Sequence, residues 1–295
     1  MRVLVTGGQG FLGAWIVHRL LASGHDVRVF DIGRNSALVE RIAGDVPDWF
    51  VGDISNSDDV LSAAQGCEAI VHLAGILTPA CAANPKRGAE INLIGTLNVF
   101  EAARQLGIAR VVYTSSAAAY GPEPGAPPFP MSHYGAFKLA CEGSARAYLE
   151  DRGLASVGFR PYIVYGGGRE TGGTAGPTLA CRAAARGEAY TIGYRGVTGM
   201  VHVDDVAAAY VAAMLREPDG AHIFNLGGVT ASCEEIATEI NRQVPGARID
   251  VAGPQLLLPP RLPPDDIDRV LPGLPNTSLA EGIARTIAFY REREA

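Results

Sequence analysis

Thr6-Gly7-Gly8-Gln9-Gly10-Phe11-Leu12-Gly13 lies between a short apolar run, residues 2–6, and a stretch of helical period, residues 11–23. Gly7, Gly10 and Gly13 form G-x-x-G-x-x-G, one step from the G-x-G-x-x-G pattern of dinucleotide loops. One glycine permits the tight turn, a second lets backbone N–H groups approach a pyrophosphate, and a third packs helix against strand. The helix opening with Phe11, Leu12 and Gly13 then turns its positive end toward the anion. A glycine triplet alone fits any strand-to-helix turn, but here a strand precedes it and a helix follows.

The next apolar run, residues 26–30, leads into Asp31. A carboxylate at that distance from the loop accepts hydrogen bonds from ribose hydroxyls and repels a 2′-phosphate, which favours NAD over NADP. Nearby Arg34 offsets part of that repulsion. Asp53, within Gly52-Asp53-Ile54, follows a third run; a carboxylate there can meet an adenine amino group or simply serve a turn.

Further β-branched runs at 48–51, 69–73, 110–114 and 156–160 alternate with helical stretches at 57–64, 86–105 and 134–151. Such alternation implies right-handed crossovers and an α/β fold, a doubly wound parallel sheet with helices on both faces. Gly24 and Gly107 read as helix stops. Beyond Gly166 the pattern loosens into a glycine-rich loop, helices at 178–186 and 206–215, and a strand at 221–226. A proline-dense segment at 253–275 reads as mostly irregular, and a terminal helix at 278–293 has Ser278 as N-cap. The expected division is a nucleotide-binding domain over residues 1–165, to which a later strand returns, and a small mixed α/β substrate lobe with the C-terminal helix over residues 166–295.

The chain has 295 residues, 47% hydrophobic and 19% charged, a composition that excludes intrinsic disorder. Its 25 Lys and Arg against 31 Asp and Glu leave a formal net charge of −6, which argues against a general nucleic-acid binder. No apolar run reaches about 18 residues, so no membrane span is expected, and the N-terminal run reads as a strand rather than a signal peptide. Cys67, Cys81, Cys141, Cys181 and Cys233 are widely spaced with no C-x-x-C pair. They read as buried thiols of a cytoplasmic protein rather than as disulfides or a metal site, and no metal is expected.

Tyr134 and Lys138 stand four apart at the start of a helix and so share a face. An ammonium beside a phenol stabilises the phenolate and brings its pKa down from about 10. Such a phenol exchanges a proton with an alcohol or ketone while hydride moves to or from nicotinamide. Ser116, just past the carboxyl end of the run at 110–114, stands where parallel sheets bind ligands and can hold the substrate oxygen. Ser115 fits better as a hydroxyl satisfying loop backbone.

Taken together these residues resemble the extended short-chain dehydrogenase/reductases, the NAD-dependent epimerase/dehydratase family. The likeness continues through His72-Leu73-Ala74-Gly75, Asn92-Leu93-Ile94-Gly95-Thr96, Thr114-Ser115-Ser116 and Arg160-Pro161-Tyr162-Ile163-Val164-Tyr165-Gly166. It ends with His202-Val203-Asp204-Asp205-Val206 and Phe224-Asn225-Leu226-Gly227-Gly228. The resemblance implies a Rossmann-type domain, NAD as cofactor, and Tyr134 as catalytic residue assisted by Lys138 and Ser116. It adds Ile54, Leu73, Ala74, Gly75, Asn92, Thr114 and Tyr162 to the cofactor cleft, with Tyr162 near nicotinamide. It also implies a supporting role for His202 and a homodimer joined through a four-helix bundle of the helices at 86–105 and 134–151.

The departures bear on substrate. Ala117-Ala118 follow Ser116 where the family's dehydratases place Asp-Glu, and elimination of water needs that acid and base. Ile163 and Thr198 stand where sugar-nucleotide members usually carry Asn and Arg for the diphosphate, although Arg195 is near enough in sequence to compensate. The expected function is therefore NAD-dependent hydride transfer at a secondary alcohol or ketone of a small polar metabolite: a sugar acid, aldose, hydroxy acid or 3-hydroxy amino acid. Thr78, Ser116 and Arg169 are its candidate substrate contacts, Arg169 for a carboxylate or phosphate, with a solvated loop arginine the plain alternative. The competing readings are a 4-epimerase of a nucleotide sugar such as UDP-glucose, and a non-catalytic NAD sensor, which would need no Ser-Tyr-Lys set.

Overall fold

In the computed structural model, which describes residues 1–44, 48–256 and 258–293, strand and helix alternate from the first residues. The order is β1 (Arg2–Thr6), α1 (Phe11–Ala22), β2 (Asp26–Asp31), α2 (Ala37–Ala43), β3 (Asp48–Val51), α3 (Ser57–Ala64), β4 (Ala69–His72), α4 (Thr78–Ala83) and α5 (Pro85–Ala89). A π-turn (Glu90–Ile94) leads into α6 (Gly95–Leu106), β5 (Arg110–Thr114), α7 (His133–Arg152), β6 (Ser156–Pro161), β7 (Ile163–Tyr165), α8 (Gly176–Arg186), β8 (Ala189–Ile192), β9 (Val197–His202) and α9 (Val203–Leu215). Then come β10 (Ala221–Leu226), β11 (Val229–Ser232), α10 (Cys233–Gln243), β12 (Arg248–Val251), α11 (Ile267–Val270) and α12 (Leu279–Arg293).

Seven of these strands form one parallel sheet in the order β10-β6-β5-β4-β1-β2-β3. β1 lies inside it, and Val3, Leu4 and Val5 are fully buried. This is why its sequence is an unbroken apolar run rather than an alternating one. β1 pairs with β2 on one side and β4 on the other, so the chain changes direction there and a crevice opens at the strands' carboxyl ends. The strand expected at 221–226 pairs with β6 and forms an edge of the sheet.

The other strands are short. β11-β9-β7 form a mixed sheet and β12-β8 a parallel pair. Runs of three to six residues give little periodicity, and β7, β8, β9, β11 and β12 were legible only once paired. α2 and α10 were also not anticipated, though Ser232-Cys233-Glu234-Glu235 is a capping box whose reciprocal bonds both form. α8 starts at Gly176, ahead of the expected 178, because Pro177 is tolerated in a first turn. α9 starts at Val203 rather than 206 because the His202 side chain caps it.

The stretch expected as one helix over 86–105 is a correction. It is split by the π-turn, and Asn92 lies within that turn. At Gly95 an added Cβ would come within 2.9 Å of Ile54 Cγ1, so the chain is drawn unusually close to the segment after β3. The five cysteines are all free and buried, and among the described residues no helix is long and apolar enough to cross a membrane.

A buried ion pair ties α7 to β6. Arg160 Nε and Nη2 donate to the two oxygens of Glu142 at 2.7 and 2.5 Å. Ser115 Oγ donates to Glu142 as well, and Arg160 Nη1 donates to Tyr120 OH. Ser115 thus serves a side-chain network rather than loop backbone. Removing one partner strands a buried charge, so Glu142→Ala should cost about 3–5 kcal/mol in urea unfolding, while Glu142→Leu with Arg160→Met should recover most of it. An alanine variant within about 1 kcal/mol of wild type would overturn this account of the α7–β6 contact.

Candidate active site

The glycine loop presses on the end of β4. Gly7 has φ +70°, its N–H donates to Phe30 O at 2.8 Å, and a Cβ there would lie 2.7 Å from Ala74 N. A Cβ at Gly13 would lie 2.5 Å from Gly7 O. α1 has Gly10 at its N-cap, with no side-chain cap and no acid in the first turn. The first N–H groups of α1, from Phe11, Leu12 and Gly13, therefore have no side chain competing for them, as an anion site requires. This cradle fits a dinucleotide pyrophosphate.

Asp31 lies against the loop through Gln9, and Asp53 follows β3. Asp31 accepts from Gln9 and from Ile32 N, and burial pushes its carboxyl up despite those donors. Asp53 Oδ1 accepts from Ser55, and Oδ2 from Arg87 at 2.8 Å. Its carboxyl is held low by the Ser55 and Arg87 donors, which outweigh the opposing burial. Arg87 was not anticipated; it lies on α5 and binds Asp53 across the fold, where sequence distance hides the pairing.

Beneath the crevice a hydrogen-bond chain crosses the sheet. Thr96 Oγ1 donates to Asn92 O at 2.7 Å and so accepts from His72 Nε2 at 3.0 Å. That leaves His72 Nδ1 to accept from Thr6 Oγ1 at 2.7 Å, while Thr6 Oγ1 accepts from Leu73 N and Ala74 N. His72 is therefore the neutral Nε2–H tautomer. Burial, reinforced by the Lys138 charge, lowers its pKa to about 3. The Asn92 amide nitrogen donates to Ile76 O and Gly88 O, but buried Oδ1 has no partner and lies where a Cβ on Gly75 would stand, 2.6 Å away.

The Tyr-Lys pair is brought to this point by α7. Buried Lys138 donates to Thr114 O at 2.8 Å, and its Nζ lies 5.7 Å from the Tyr134 ring centroid. Thr114 Oγ1 donates to His72 O and accepts from the buried Tyr210 hydroxyl. Ser116 Oγ accepts from Ala118 N at 3.1 Å, which leaves its hydrogen free to donate. A Cβ on Gly135 would come within 2.0 Å of Ala118 O, so only glycine lets the first turn of α7 press against the segment carrying Ser116.

The expected substrate contacts are less concentrated. Thr78 is exposed at the start of α4. The Arg169 guanidinium is turned back onto its own loop, donating to Val164 O and Thr174 Oγ1. Burial lowers its pKa to about 10. Ile163 and Thr198 are sealed in the lobe, 2% and 1% exposed. Arg195 pairs with Glu234. Tyr162 is buried, donates to Pro259 O, and helps line a cleft of about 320 Å³ with Gly199, Asn225, Gly227, Arg261 and Asp265. The proline-dense segment forms the far wall, held by Asn225 N to Asp265 and Asn225 Nδ2 to Pro263 O. Arg261 makes no hydrogen bond or ion pair with any described residue. Sequence reading passed over it; a lone cation among prolines was the available signal.

A parallel sheet with a glycine loop at its switch point, and a Tyr-Lys pair beside the next strand ends, defines an NAD-binding enzyme of the extended short-chain dehydrogenase type. The sequence pattern of the NAD dependent epimerase/dehydratase family matches residues 3–227, and the chain belongs to that family. It is 35% identical to UDP-glucose 4-epimerase of Mycolicibacterium smegmatis across 99% of each chain. It is 34% identical to 3 beta-hydroxysteroid dehydrogenase type 7 of Mus musculus, over 57% of this chain and 51% of that one. The crystal structure of UDP-glucose 4-epimerase from Thermus thermophilus in complex with NAD superposes with a TM-score of 0.83 at 30% identity, covering 99% of each chain.

Two outcomes follow from this geometry. Gly7→Ala should abolish measurable NAD binding in calorimetry, because a Cβ meets Ala74 backbone and φ +70° strains any other residue; wild-type affinity in that variant would remove the loop from the cofactor site. For His72, the unfolded chain binds a proton below about pH 6.5 that the folded chain refuses until about 3. Its contribution to stability is therefore complete above the higher value and is lost as pH falls between the two, by up to about 1.4 kcal/mol per pH unit. His72→Gln should flatten that part of the stability–pH curve, and an unaltered slope would show that His72 does not carry it.

Proposed function

We propose that this enzyme is a 4-epimerase of a nucleotide sugar. The observation that carries the reading is the cleft beside Tyr162 with unpaired Arg261 in its wall. A guanidinium without a partner among the described residues is suited to a diphosphate, which it can bind through two parallel bonds. It supplies the positive charge that Thr198 lacks. The likeness to UDP-glucose 4-epimerases along the full chain supports the same reading.

NAD, when bound in the crevice, supplies reversible acceptance of a hydride. The chain's own residues manage the proton and the oxygen. Tyr134, with Lys138 stabilising its phenolate, removes the proton of the substrate hydroxyl and later returns it. Ser116 donates its free hydrogen to that oxygen and steadies the charge on it. Thr114 O fixes Lys138 in place. Ala117 and Ala118 form a short turn with no acid or base, which argues against a dehydratase step by the route that uses those two positions.

The second reading is net oxidation of a small polar secondary alcohol. The burial of Ile163 and Thr198 in the lobe core favours it, since neither can greet a diphosphate.

The readings separate in one assay. UDP-glucose, UDP-galactose and a panel of small hydroxy acids and aldoses are incubated with enzyme and NAD, following reduced nicotinamide and sugar product together. The epimerase converts one UDP-sugar into the other with no net reduced cofactor. Tyr134→Phe should lower kcat by about 10²–10⁴. Arg261→Met should raise KM for the UDP-sugar at least about tenfold with kcat changed far less. Reduced cofactor accumulating with a small alcohol, and no UDP-sugar product, would replace this reading with the second.

A further inference from the structure

Gln9 stands between Gly8 and Gly10, and nothing in the reading of the glycine loop requires that side chain. The structure gives it three hydrogen bonds to the end of β2 and the loop beyond it. Its Nε2 donates to Asp31 Oδ1 at 2.9 Å, its backbone N donates to Oδ2 at 3.2 Å, and its Oε1 accepts from Asn35 N at 2.9 Å. One residue thus clamps the end of β2, and the loop after it, to the phosphate cradle. Ile32 N also donates to Asp31 Oδ1, at 2.9 Å.

The remaining hydrogen-bonding capacity is what a ligand meets. A carboxylate has about four lone-pair sites, and three N–H donors occupy three of them. One acceptor site is left, which suits a ribose hydroxyl. A 2′-phosphate brings roughly two negative charges and three acceptor oxygens, and needs donors or cations. Here Gln9 N, Ile32 N and one of the two Gln9 Nε2 hydrogens are committed to Asp31, and the other sits on an amide fixed 2.9 Å from that carboxylate. Of the two cations three residues from Asp31, Arg28 binds Asp48 and Arg34 lies over the Trp49 ring at 5.5 Å.

We propose that Gln9 is a specificity-determining residue for the cofactor, which by holding Asp31 and Asn35 commits the adenosine pocket to a free 2′-hydroxyl and excludes a 2′-phosphate. It is a positioning residue, acting through Asp31. Asp31 supplies the repulsion; Gln9 fixes where the carboxylate stands and keeps the loop carrying Arg34 from closing on a phosphate.

Calorimetric titration of NAD and of NADP into the purified full chain tests this without turnover. Wild type is compared with Gln9→Ala, Asp31→Ala and the double variant. Gln9→Ala should weaken NAD about tenfold, the scale of one charge-assisted hydrogen bond, and leave NADP unchanged or tighter. The preference for NAD then falls at least about tenfold. Once Asp31 is gone, adding Gln9→Ala should shift the NAD/NADP ratio by less than about twofold, because the two residues act as one unit. If the alanine variant unfolds, Gln9→Met keeps the length, removes the amide and carries the same expectation. Equal weakening of both cofactors would show that Gln9 merely braces the loop and would overturn the proposal. So would unchanged affinity for both, or full additivity in the double variant.

Discussion

The architecture turns on a contact that only a missing side chain allows. Gly7 sits against the backbone of Ala74, and Gly13 against Gly7 O, at distances that admit no Cβ. That approach brings the end of β1 beside the end of β4 and aims the start of α1 across the crevice. Thr6 then reaches His72 and the N–H groups of Leu73 and Ala74, and through His72 and Thr96 the connection extends to Asn92. Thr114, which bonds His72 O and accepts from Lys138, joins α7 to the same polar framework inside an apolar sheet. Such a framework is stable because every member but Asn92 Oδ1 has a partner.

A second close approach positions the Tyr-Lys pair. Gly135 lets α7 press on Ala118, and the Glu142–Arg160 pair fastens the same helix to β6 farther along. Tyr134 adjoins the first of these fixings, and Lys138 lies between the two. The neutral state of His72 matters here: a second cation beside Lys138 would raise the electrostatic cost of a protonated amine at that point, and burial prevents it. The positive charge near Tyr134 comes from Lys138 alone among these groups.

The lobe works by different physics. Its strands are short and its far wall is a proline-dense segment held by a few hydrogen bonds from Asn225 and Tyr162. Ile163 and Thr198, the departures that point away from a nucleotide sugar, are turned into the lobe's core. Arg261 approaches the cleft instead, from a segment where sequence pattern carries little information. Burial takes those two positions out of the cleft's lining, so their side chains do not set its charge. Arg169 teaches the converse: a loop arginine that looked available is bound to its own loop.

The sheet was readable from residues alone because a strand buried on both faces leaves a continuous apolar run, and a crossover helix leaves a 3.6-residue period. Glycine spacing, Asp31, and the Tyr134–Lys138 interval were readable for the same reason: each is local geometry along one element. The π-turn at Asn92, the short strands of the lobe, the partners of Arg87 and Arg169, the clamp of Gln9 on Asp31, and the place of Arg261 were not. Each depends on which distant segments meet. Local sequence settles what an element is and what chemistry it carries; only tertiary packing decides which of those groups are already paired and which remain free for a ligand.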